Sequence, residues 1–331
     1  MTRCAVIGAG AWGTALADLL ARNGHQVRMW AYEWDVVESI NRTHLNRRFL
    51  PGSPLYDTIR AYNDIDEAVH GAELITLVTP SHVLRSIARS ASASIPGDVP
   101  VVVASKGIER DSLALMTDVV DEEISQATVV ALSGPSFAAE VIAQQPTAVV
   151  VASRKEEAAV FAQQIFSSIH FRSYTHSDVI GVEIGGALKN VMAVATGIAE
   201  GLGLGFNARA ALITRGLAEM TRLGVKLGAE PATLAGLAGL GDLVLTCTGS
   251  LSRNRAVGVE IGRGSSLEAV LAGKETVAEG VVTTRSAHAL AAREGVEMPI
   301  VDAVHRVLFE GQPPRDAIGA MMARELRSET D

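Results

Sequence analysis

Short apolar runs and longer amphipathic segments alternate along the first half of the chain. Runs rich in β-branched residues at 4–7, 26–30, 74–78, 99–104, 129–132 and 148–151 predict strands. Segments of helical length, such as 14–23 and 82–93, separate these strands. This alternation is typical of βαβ units, and a series of them predicts a doubly wound parallel sheet.

Beyond residue 177 the pattern changes, because β-branched runs disappear and segments rich in Ala, Leu and Gly continue to about residue 327. Residues 178–200 and 208–227 are predicted as the first long helices, with Ser177 or Asp178 as an N-cap and Gly201 and Gly228 at the ends. We therefore expect an α/β domain over residues 1–177 and an all-α domain over residues 178–331.

The composition fits a globular protein with two cores. The chain has 331 residues, of which 48% are hydrophobic and 20% are charged. The net charge of −8 opposes general binding to nucleic acid or to an anionic membrane, so an anionic ligand must meet local positive groups. We find neither a signal peptide nor a bilayer-spanning segment, which predicts a protein without membrane insertion. With only Cys4 and Cys247 available, the sequence favours a reducing, cytoplasmic setting.

A glycine loop follows the first predicted strand and precedes the first predicted helix. Gly8 permits a tight turn, Gly10 lets the backbone approach a pyrophosphate, and Gly13 lets the helix pack close to the strand. A glycine-rich turn without a ligand is the alternative, but the surrounding strand and helix favour a Rossmann-type dinucleotide site. Glu33 comes twenty residues after Gly13 and just past the second strand, where a carboxylate accepts from the ribose 2′-OH. That position predicts NAD.

A lysine interrupts a helix that is otherwise small and apolar on almost every face. An ammonium group at Lys189 is costly to bury unless it is paired, and a buried lysine of lowered pKa is a good proton donor or acceptor. Asp242 lies in a glycine-rich, apolar segment and is the natural partner. The alternatives are a lysine whose ammonium reaches water and an aspartate that forms a turn.

Local anion sites are predicted in three loops. Ser252 resembles a helix N-cap, which places Arg253 and Asn254 in a first turn where free N–H groups and a guanidinium fork suit phosphate. A solvated surface arginine is the alternative there, as a surface lysine is for Lys106 in the loop after the strand 99–104. In the loop 133–138, Pro135 suits the first position of a helix. We find no set of residues with metal-ligand spacing.

Taken together, these segments resemble the NAD(P)-dependent glycerol-3-phosphate dehydrogenase family over nearly the whole chain. The matching motifs lie at residues 8–13, 105–107, 133–138, 185–190, 207–216, 239–248 and 252–254. The resemblance implies reversible reduction of dihydroxyacetone phosphate to sn-glycerol 3-phosphate, which feeds glycerophospholipid synthesis, by a cytoplasmic homodimer.

The resemblance also implies roles for individual residues. Lys189 matches the catalytic lysine, with Asn190, Asp242 and Thr246 as its supporting network and Lys106 at the substrate. The implied substrate contacts are Gly134, Ser136, Ser252, Arg253 and Asn254, together with Lys106, Lys189 and Asp242. The implied cofactor contacts are Gly8, Gly10, Ala11, Trp12, Gly13, Tyr32, Glu33, Lys106, Ala138, Arg253, Val277 and Glu279.

Two features depart from the family pattern, one at a single position and one at a pair of positions. Ala11 replaces a serine, which removes a hydroxyl contact to the pyrophosphate but leaves the backbone donors. Tyr32 and Glu33 replace a basic pair common in bacterial members, which weakens the case for NADP.

Two alternative functions stay open, one on the same two-domain plan and one that keeps only the glycine loop. One is a dehydrogenase of a hydroxy acid, of the 6-phosphogluconate or ketopantoate type, and the loops 134–136 and 252–254 count against it. The other is a non-catalytic NAD(H)-binding regulator, which has no need of a buried Lys189 beside Asp242.

Overall fold

The computed structural model describes residues 1–272, 278–326 and 328–329. The strands form one sheet in the order β3-β2-β1-β4-β5-β6-β7-β8. They are β1 (Arg3–Ile7), β2 (Gln26–Trp30), β3 (Arg60–Tyr62), β4 (Leu74–Leu77), β5 (Pro100–Val103), β6 (Thr128–Ser133), β7 (Thr147–Ala152) and β8 (Phe171–His176). The pairs from β3 through β6 are parallel, β7 is antiparallel to β6, and β8 is parallel to β7.

All six predicted strands are present and the doubly wound, mainly parallel sheet is confirmed; the exceptions are β7, which is antiparallel to β6, and β8, which follows the direction of β7. The helix that links β6 to β7 has only five residues, about 8 Å at 1.5 Å per residue. It is too short to return the chain along a six-residue strand of about 20 Å, so β7 runs back beside β6. The strands β3 and β8 were not predicted.

Helices cover both faces of this sheet. They are α1 (Ala11–Arg22), α2 (Trp34–Thr43), α3 (Ile65–Val69), α4 (Leu84–Ala91), α5 (Met116–Glu123), α6 (Ala138–Ile142) and α7 (Glu156–Phe166), with 3₁₀ turns at Ser81–Val83 and Ser92–Ser94. Neighbouring strand residues enter different cores: Val6 joins the cluster with Leu16 and Phe166, whereas Ile7 joins the cluster with Leu84. Burial on both faces makes this N-terminal sheet region a doubly wound, Rossmann-type fold.

The chain becomes helical after β8, and we call this part the helical region. Its helices are α8 (Val179–Gly201), α9 (Phe206–Lys226), α10 (Pro231–Leu234), α11 (Asp242–Thr248), α12 (Arg253–Gly262), α13 (Leu267–Leu271), α14 (Glu279–Glu294), α15 (Pro299–Phe309) and α16 (Pro314–Met322). The predicted helices 178–200 and 208–227 correspond to α8 and α9, and Asp178 caps α8 by accepting from Gly181 N. Nearly every residue of α8 is buried, so it is the axis of the region.

Glycines bring α12 into backbone contact with α8. A Cβ on Gly258 would lie 2.2 Å from the carbonyl oxygen of Val194 and 2.9 Å from the Cα of Gly197. One turn further along, a Cβ on Gly262 would lie 2.3 Å from the carbonyl oxygen of Ile198. This close packing fixes the direction of α12 and therefore the place of its N-terminus.

Among the described residues, two segments are long and apolar enough to cross a bilayer when judged by length and composition alone. They are Val179–Gly201 and Pro231–Thr248, and 94% and 44% of their apolar windows are buried inside the protein. The first is α8, whose surroundings are those of a core helix.

Gly258→Ala should lower the free energy of unfolding by about 1–3 kcal/mol, because the new methyl group overlaps the α8 backbone. Gly319→Ala is the matched control, since Gly319 lies inside α16 with open space around it. That change should raise the free energy of unfolding by about 0.5–1 kcal/mol through helix propensity. Urea unfolding followed by circular dichroism measures both, and equal values for the two variants would contradict the close contact.

Candidate active site

The glycine loop joins the end of β1 to the start of α1. Gly8 has a φ of +119°, and a Cβ there would lie 2.7 Å from the carbonyl oxygen of Val78. A Cβ on Gly13 would lie 1.9 Å from the carbonyl oxygen of Gly8. Gly10, the N-cap of α1, has open space on its outer side and no side-chain cap. The free N–H groups of the first turn therefore face a space that suits a pyrophosphate.

Side chains around this loop also fit a dinucleotide. Trp12 has a buried indole Nε1 with no hydrogen-bond partner among the described residues, and Ala11 beside it is half-buried. Tyr32 is 77% exposed just after β2, and Glu33 occupies the N-cap position of α2 without a side-chain cap bond. Ala138 begins α6, which packs against α1.

A single buried carboxylate joins two lysines from different parts of the fold. Asp242 Oδ1 pairs with Lys189 Nζ on α8, as the sequence predicted, and Asp242 Oδ2 accepts from Lys106 Nζ at 2.8 Å. Lys106 also donates to the carbonyl oxygen of Gly134 at 3.2 Å. Asp242 is 0% exposed and Lys189 is 7% exposed, so these charges are held largely away from water.

The surroundings of Lys189 work against its charge. Burial lowers the pKa of Lys189 well below the ordinary lysine value of 10.5, and the neighbouring Lys106 ammonium lowers it further. The Asp242 carboxylate opposes this fall. A lysine held in this balance can give up and regain a proton.

An irregular turn places Asp242 beside Lys189 and Lys106. The segment Leu237–Gly241 is π-helical, with a hydrogen bond of 3.0 Å from Gly241 N to the carbonyl oxygen of Gly236. A Cβ on Gly185 of α8 would lie 2.3 Å from the carbonyl oxygen of Ala238 in this turn. The turn therefore lies against α8 and presents Asp242 at the start of α11. Thr246, one turn later, donates to the carbonyl oxygen of Asp242 at 2.7 Å.

A chain of polar contacts extends from the lysines towards α12. Asn254 Nδ2 donates to Asn190 Oδ1 at 2.8 Å, and Asn254 Oδ1 accepts from Gly280 N at 2.9 Å. Glu279, next to Gly280, accepts from the hydroxyl of Ser81 at 2.7 Å and from its backbone N–H at 3.3 Å. These contacts tie α12 and α14 to the end of β4 in the sheet region.

The predicted anion loop is a helix N-terminus. Ser252 caps α12, its hydroxyl accepting from Arg255 N at 3.2 Å. Arg253 is the first residue of α12 and is exposed, while Asn254 is partly buried. Both occupy the first turn, as predicted.

The loop after β6 faces the same group of residues. Gly134 has a φ of +144°, and Ser136 donates to its carbonyl oxygen at 3.0 Å. The hydroxyl of Ser133 is buried and has no partner among the described residues. Pro135 does not start a helix, contrary to the prediction, because Phe137 is extended and serves as the N-cap of α6. Val277, an implied cofactor contact, lies outside the described residues.

The topology puts these groups on one edge of the sheet. The glycine loop follows β1, Ser81 follows β4 and Lys106 follows β5, and these three strands are neighbours. At about 4.8 Å per strand, β1 and β5 are about 10 Å apart. Sequence reasoning missed Ser81, although its place just after a predicted strand is the same signal that marks Lys106.

Comparison with known proteins identifies the family. The models for the N-terminus and the C-terminus of NAD-dependent glycerol-3-phosphate dehydrogenase match residues 3–159 and 178–319. The chain belongs to this family. It is 53% identical over 331 residues to glycerol-3-phosphate dehydrogenase [NAD(P)+] of Geobacter sulfurreducens, covering 99% of this chain and 98% of that protein. The corresponding protein of Syntrophotalea carbinolica is 52% identical over 329 residues, covering 98% and 99%.

A solved member of the family has the same fold. The crystal structure of glycerol-3-phosphate dehydrogenase from Coxiella burnetii superposes with a TM-score of 0.94 at 41% identity, covering 98% of this chain and 99% of that one. Membership of the glycerol-3-phosphate dehydrogenase family removes the hydroxy-acid dehydrogenase alternative, and it makes the chain an NAD(P)-dependent oxidoreductase.

Lys189→Met should change how stability depends on pH. The folded-state pKa of Lys189 is lowered, so between that value and 10.5 the unfolded chain binds more protons than the folded protein. The contribution of Lys189 to the free energy of unfolding therefore rises with pH across this window. That contribution is lost as the pH falls through the lowered pKa. We expect the wild type to gain stability relative to Lys189→Met between about pH 7 and about pH 9.

Urea unfolding at several pH values measures this difference. Lys226→Met removes an exposed ammonium on α9 and controls for the loss of one lysine. If the Lys189→Met curve stays parallel to the wild type across the window, the lysine is not held in the environment described above.

Proposed function

We propose that the chain catalyses the reversible reduction of dihydroxyacetone phosphate to sn-glycerol 3-phosphate with a nicotinamide dinucleotide. The observation that carries this proposal is the buried Lys189, held with Lys106 on one carboxylate at the sheet edge where the glycine loop lies. The names of the similar proteins support the choice of substrate.

The proton transfer rests on Lys189. NAD(H), when bound, supplies or accepts the hydride at the substrate carbon. As the ketone oxygen becomes an alkoxide, Lys189 Nζ donates a proton to it, and in the reverse direction the neutral amine removes the hydroxyl proton. Asp242 holds the ammonium in place, and Lys106 adds a second positive charge that stabilises the developing oxyanion.

The N-terminus of α12 is the proposed phosphate site. This ten-residue helix directs free N–H groups and the positive end of its dipole towards the chain of contacts that includes Asn190 and Asn254. Arg253 is exposed at its first position, where its guanidinium can grip a phosphate bidentately. Gly134, Ser136 and Ser252 complete the substrate contacts that we propose.

The proposed cofactor preference is NAD over NADP. Glu33 and Tyr32 follow β2, where the adenosine ribose lies in folds of this type. Several nearby arginines already have partners: Arg28 donates to the carbonyl oxygens of Glu67 and His70, Arg42 pairs with Glu38, and Arg48 pairs with Asp35. Their engagement reduces the positive charge available to a 2′-phosphate, which the Glu33 carboxylate repels, while the exposed Arg47 offsets part of that repulsion.

The resemblance to the family also supplies a setting. We propose a cytoplasmic homodimer whose product feeds glycerophospholipid synthesis, with a dinucleotide domain over residues 1–177 and a substrate domain over residues 178–331. Both cysteines are free and buried, which is compatible with a reducing compartment.

Purified protein should oxidise NADH rapidly with dihydroxyacetone phosphate and much more slowly with the same concentration of unphosphorylated dihydroxyacetone, because the phosphate anchors the substrate. Loss of reduced-nicotinamide absorbance measures both rates. Equal rates on the two ketones would contradict the proposed substrate.

The same assay tests the two charged residues. Lys189→Ala should lower kcat at least about a hundredfold. Arg253→Ala should raise KM for the phosphorylated substrate by about 10- to 150-fold, the equivalent of about 1.5–3 kcal/mol.

The value of kcat/KM should be higher for NADH than for NADPH. Repulsion between Glu33 and a 2′-phosphate, after screening, should cost about 1–3 kcal/mol, or about 5- to 150-fold. Glu33→Arg should narrow or reverse this difference, whereas Glu157→Arg, at an exposed position on α7, should change it little. A wild type that prefers NADPH would show that Glu33 points away from the ribose.

A further inference from the structure

A buried carboxylate on α8 reaches into the sheet region at a point that the proposed chemistry does not use. Glu183 is 9% exposed and lies six residues before Lys189 on the same helix. Its Oε1 accepts from Thr117 N at 2.9 Å, and its Oε2 accepts from the Thr117 hydroxyl. Thr117 is the second residue of α5, so this contact bridges the two regions of the protein.

Helix α5 depends on this carboxylate for its N-terminal cap. The residue at its N-cap position is Leu115, whose side chain has no acceptor to offer. The first N–H groups of a helix need acceptors when they are buried, and a negative charge is favourable there. An ionised carboxylate is poorly solvated at this buried position, and burial therefore raises the pKa of Glu183 to about 7. A buried carboxylate that is costly to ionise, and that has a defined partner, indicates a specific role in the protein.

The capped end of α5 is also the end of the loop that carries Lys106. This loop runs from β5 to α5, and a bridge between Ile108 and Leu115 closes it next to the helix. At its other end, the stem of Lys106 lies against Gly186 of α8, 3.6 Å from where a Cβ would be. The helix that carries Lys189 therefore holds the Lys106 loop at both ends.

We propose that Glu183 is a positioning residue that holds the Lys106 loop in register with α8, so that Lys106 and Lys189 meet on the two oxygens of Asp242. Because the role of Lys189 is itself a proposal, this inference rests on the proposed function. It adds that the spacing of the two lysines is set from outside the site, through the N-terminus of α5.

A second buried glutamate supplies the matched control. Glu219 is 3% exposed, and it caps α15 by accepting from Ile300 N at 2.8 Å and from Val301 N at 3.4 Å. Burial raises its pKa to about 7 as well. Glu219 and the helix that it caps both belong to the helical region, and neither includes the Lys106 loop. Glu219 therefore shares the chemistry of Glu183 without its proposed effect.

The lysines allow the geometry to be observed directly. The chain contains only five lysines, at positions 106, 155, 189, 226 and 274. Isotope labelling of lysine in the full-length enzyme gives few side-chain NMR signals, which single substitutions can assign. Among the described residues, the charged or titratable groups that act most strongly on Lys189 are Asp242 and Lys106, and the thiol of Cys247 also interacts with it. The titration of Lys189 therefore reports whether Lys106 is in place.

Glu183→Ala should move the titration of Lys189 upward. Without the cap, we expect Lys106 to move away from Asp242. The positive charge of Lys106 is then no longer beside Lys189, and the Asp242 carboxylate pairs with Lys189 alone. The loss of a negative charge at position 183 acts in the opposite direction, so an upward change identifies movement of Lys106. The acid limb of the pH profile for sn-glycerol 3-phosphate oxidation should move upward in parallel, because that reaction needs the neutral amine.

The companion variants separate positioning from stability. Glu183→Gln keeps an acceptor for Thr117 N and should leave the titration of Lys189 near that of the wild type. Thr117→Val keeps the backbone bond but loses the hydroxyl, and it should give a smaller upward change. Glu219→Ala should lower stability without moving Lys189. If Glu183→Ala does not fold, Thr117→Val carries the test in its place.

The proposal is overturned if the titration of Lys189 is unchanged in Glu183→Ala, or in Thr117→Val when the alanine variant does not fold. It is also overturned if Glu219→Ala moves that titration as far. The NMR titration needs no turnover, so it can succeed or fail independently of the activity assay that tests the proposed reaction.

Discussion

The structure depends on burying one carboxylate between two ammonium groups. Asp242 has no contact with solvent, and leaving its charge unpaired there would be costly. Lys189 and Lys106 each occupy one of its oxygens, and with both protonated the three groups carry a net charge of +1. This net positive charge would stabilise an oxyanion at the site. The same pairing joins the sheet region to the helical region, so the chemistry and the architecture rest on the same contact.

Close backbone packing makes this pairing possible. The π-helical turn can lie against α8 because Gly185 has no Cβ, and only then does α11 begin with Asp242 beside Lys189. In the same way, Gly258 lets α12 contact α8, which places Asn254 beside Asn190. A side chain at either glycine would overlap the facing backbone and push apart the segments that carry these polar groups. The precision of the site therefore comes from small residues away from it.

The sequence predicts those parts of the protein that have a local signal. Runs of β-branched residues mark six of the strands, and Lys189 and Asp242 stand out because they interrupt apolar segments. The strand β3 has only three residues, and β8 alternates between buried and exposed positions at the sheet edge, so neither gives an apolar run. The π-helical turn resembles a glycine-rich loop in sequence.

Long-range polar contacts have no such signal. Glu183 and Thr117 are 66 residues apart, and Ser81 and Glu279 are 198 residues apart, so nothing near either residue predicts its partner.

These long-range contacts also decide how the two regions behave together. Lys106 with Asp242, Ser81 with Glu279, and Thr117 with Glu183 all cross between the regions, and each has a carboxylate as acceptor. Separating the regions would leave three carboxylates to find new donors, at about 1–3 kcal/mol for each group that stays buried and unpaired. The apolar cluster of Val150, Val179 and Val182 would also lose its cover. Opening by rigid separation is therefore costly, and these contacts favour a site that is already formed when its ligands arrive.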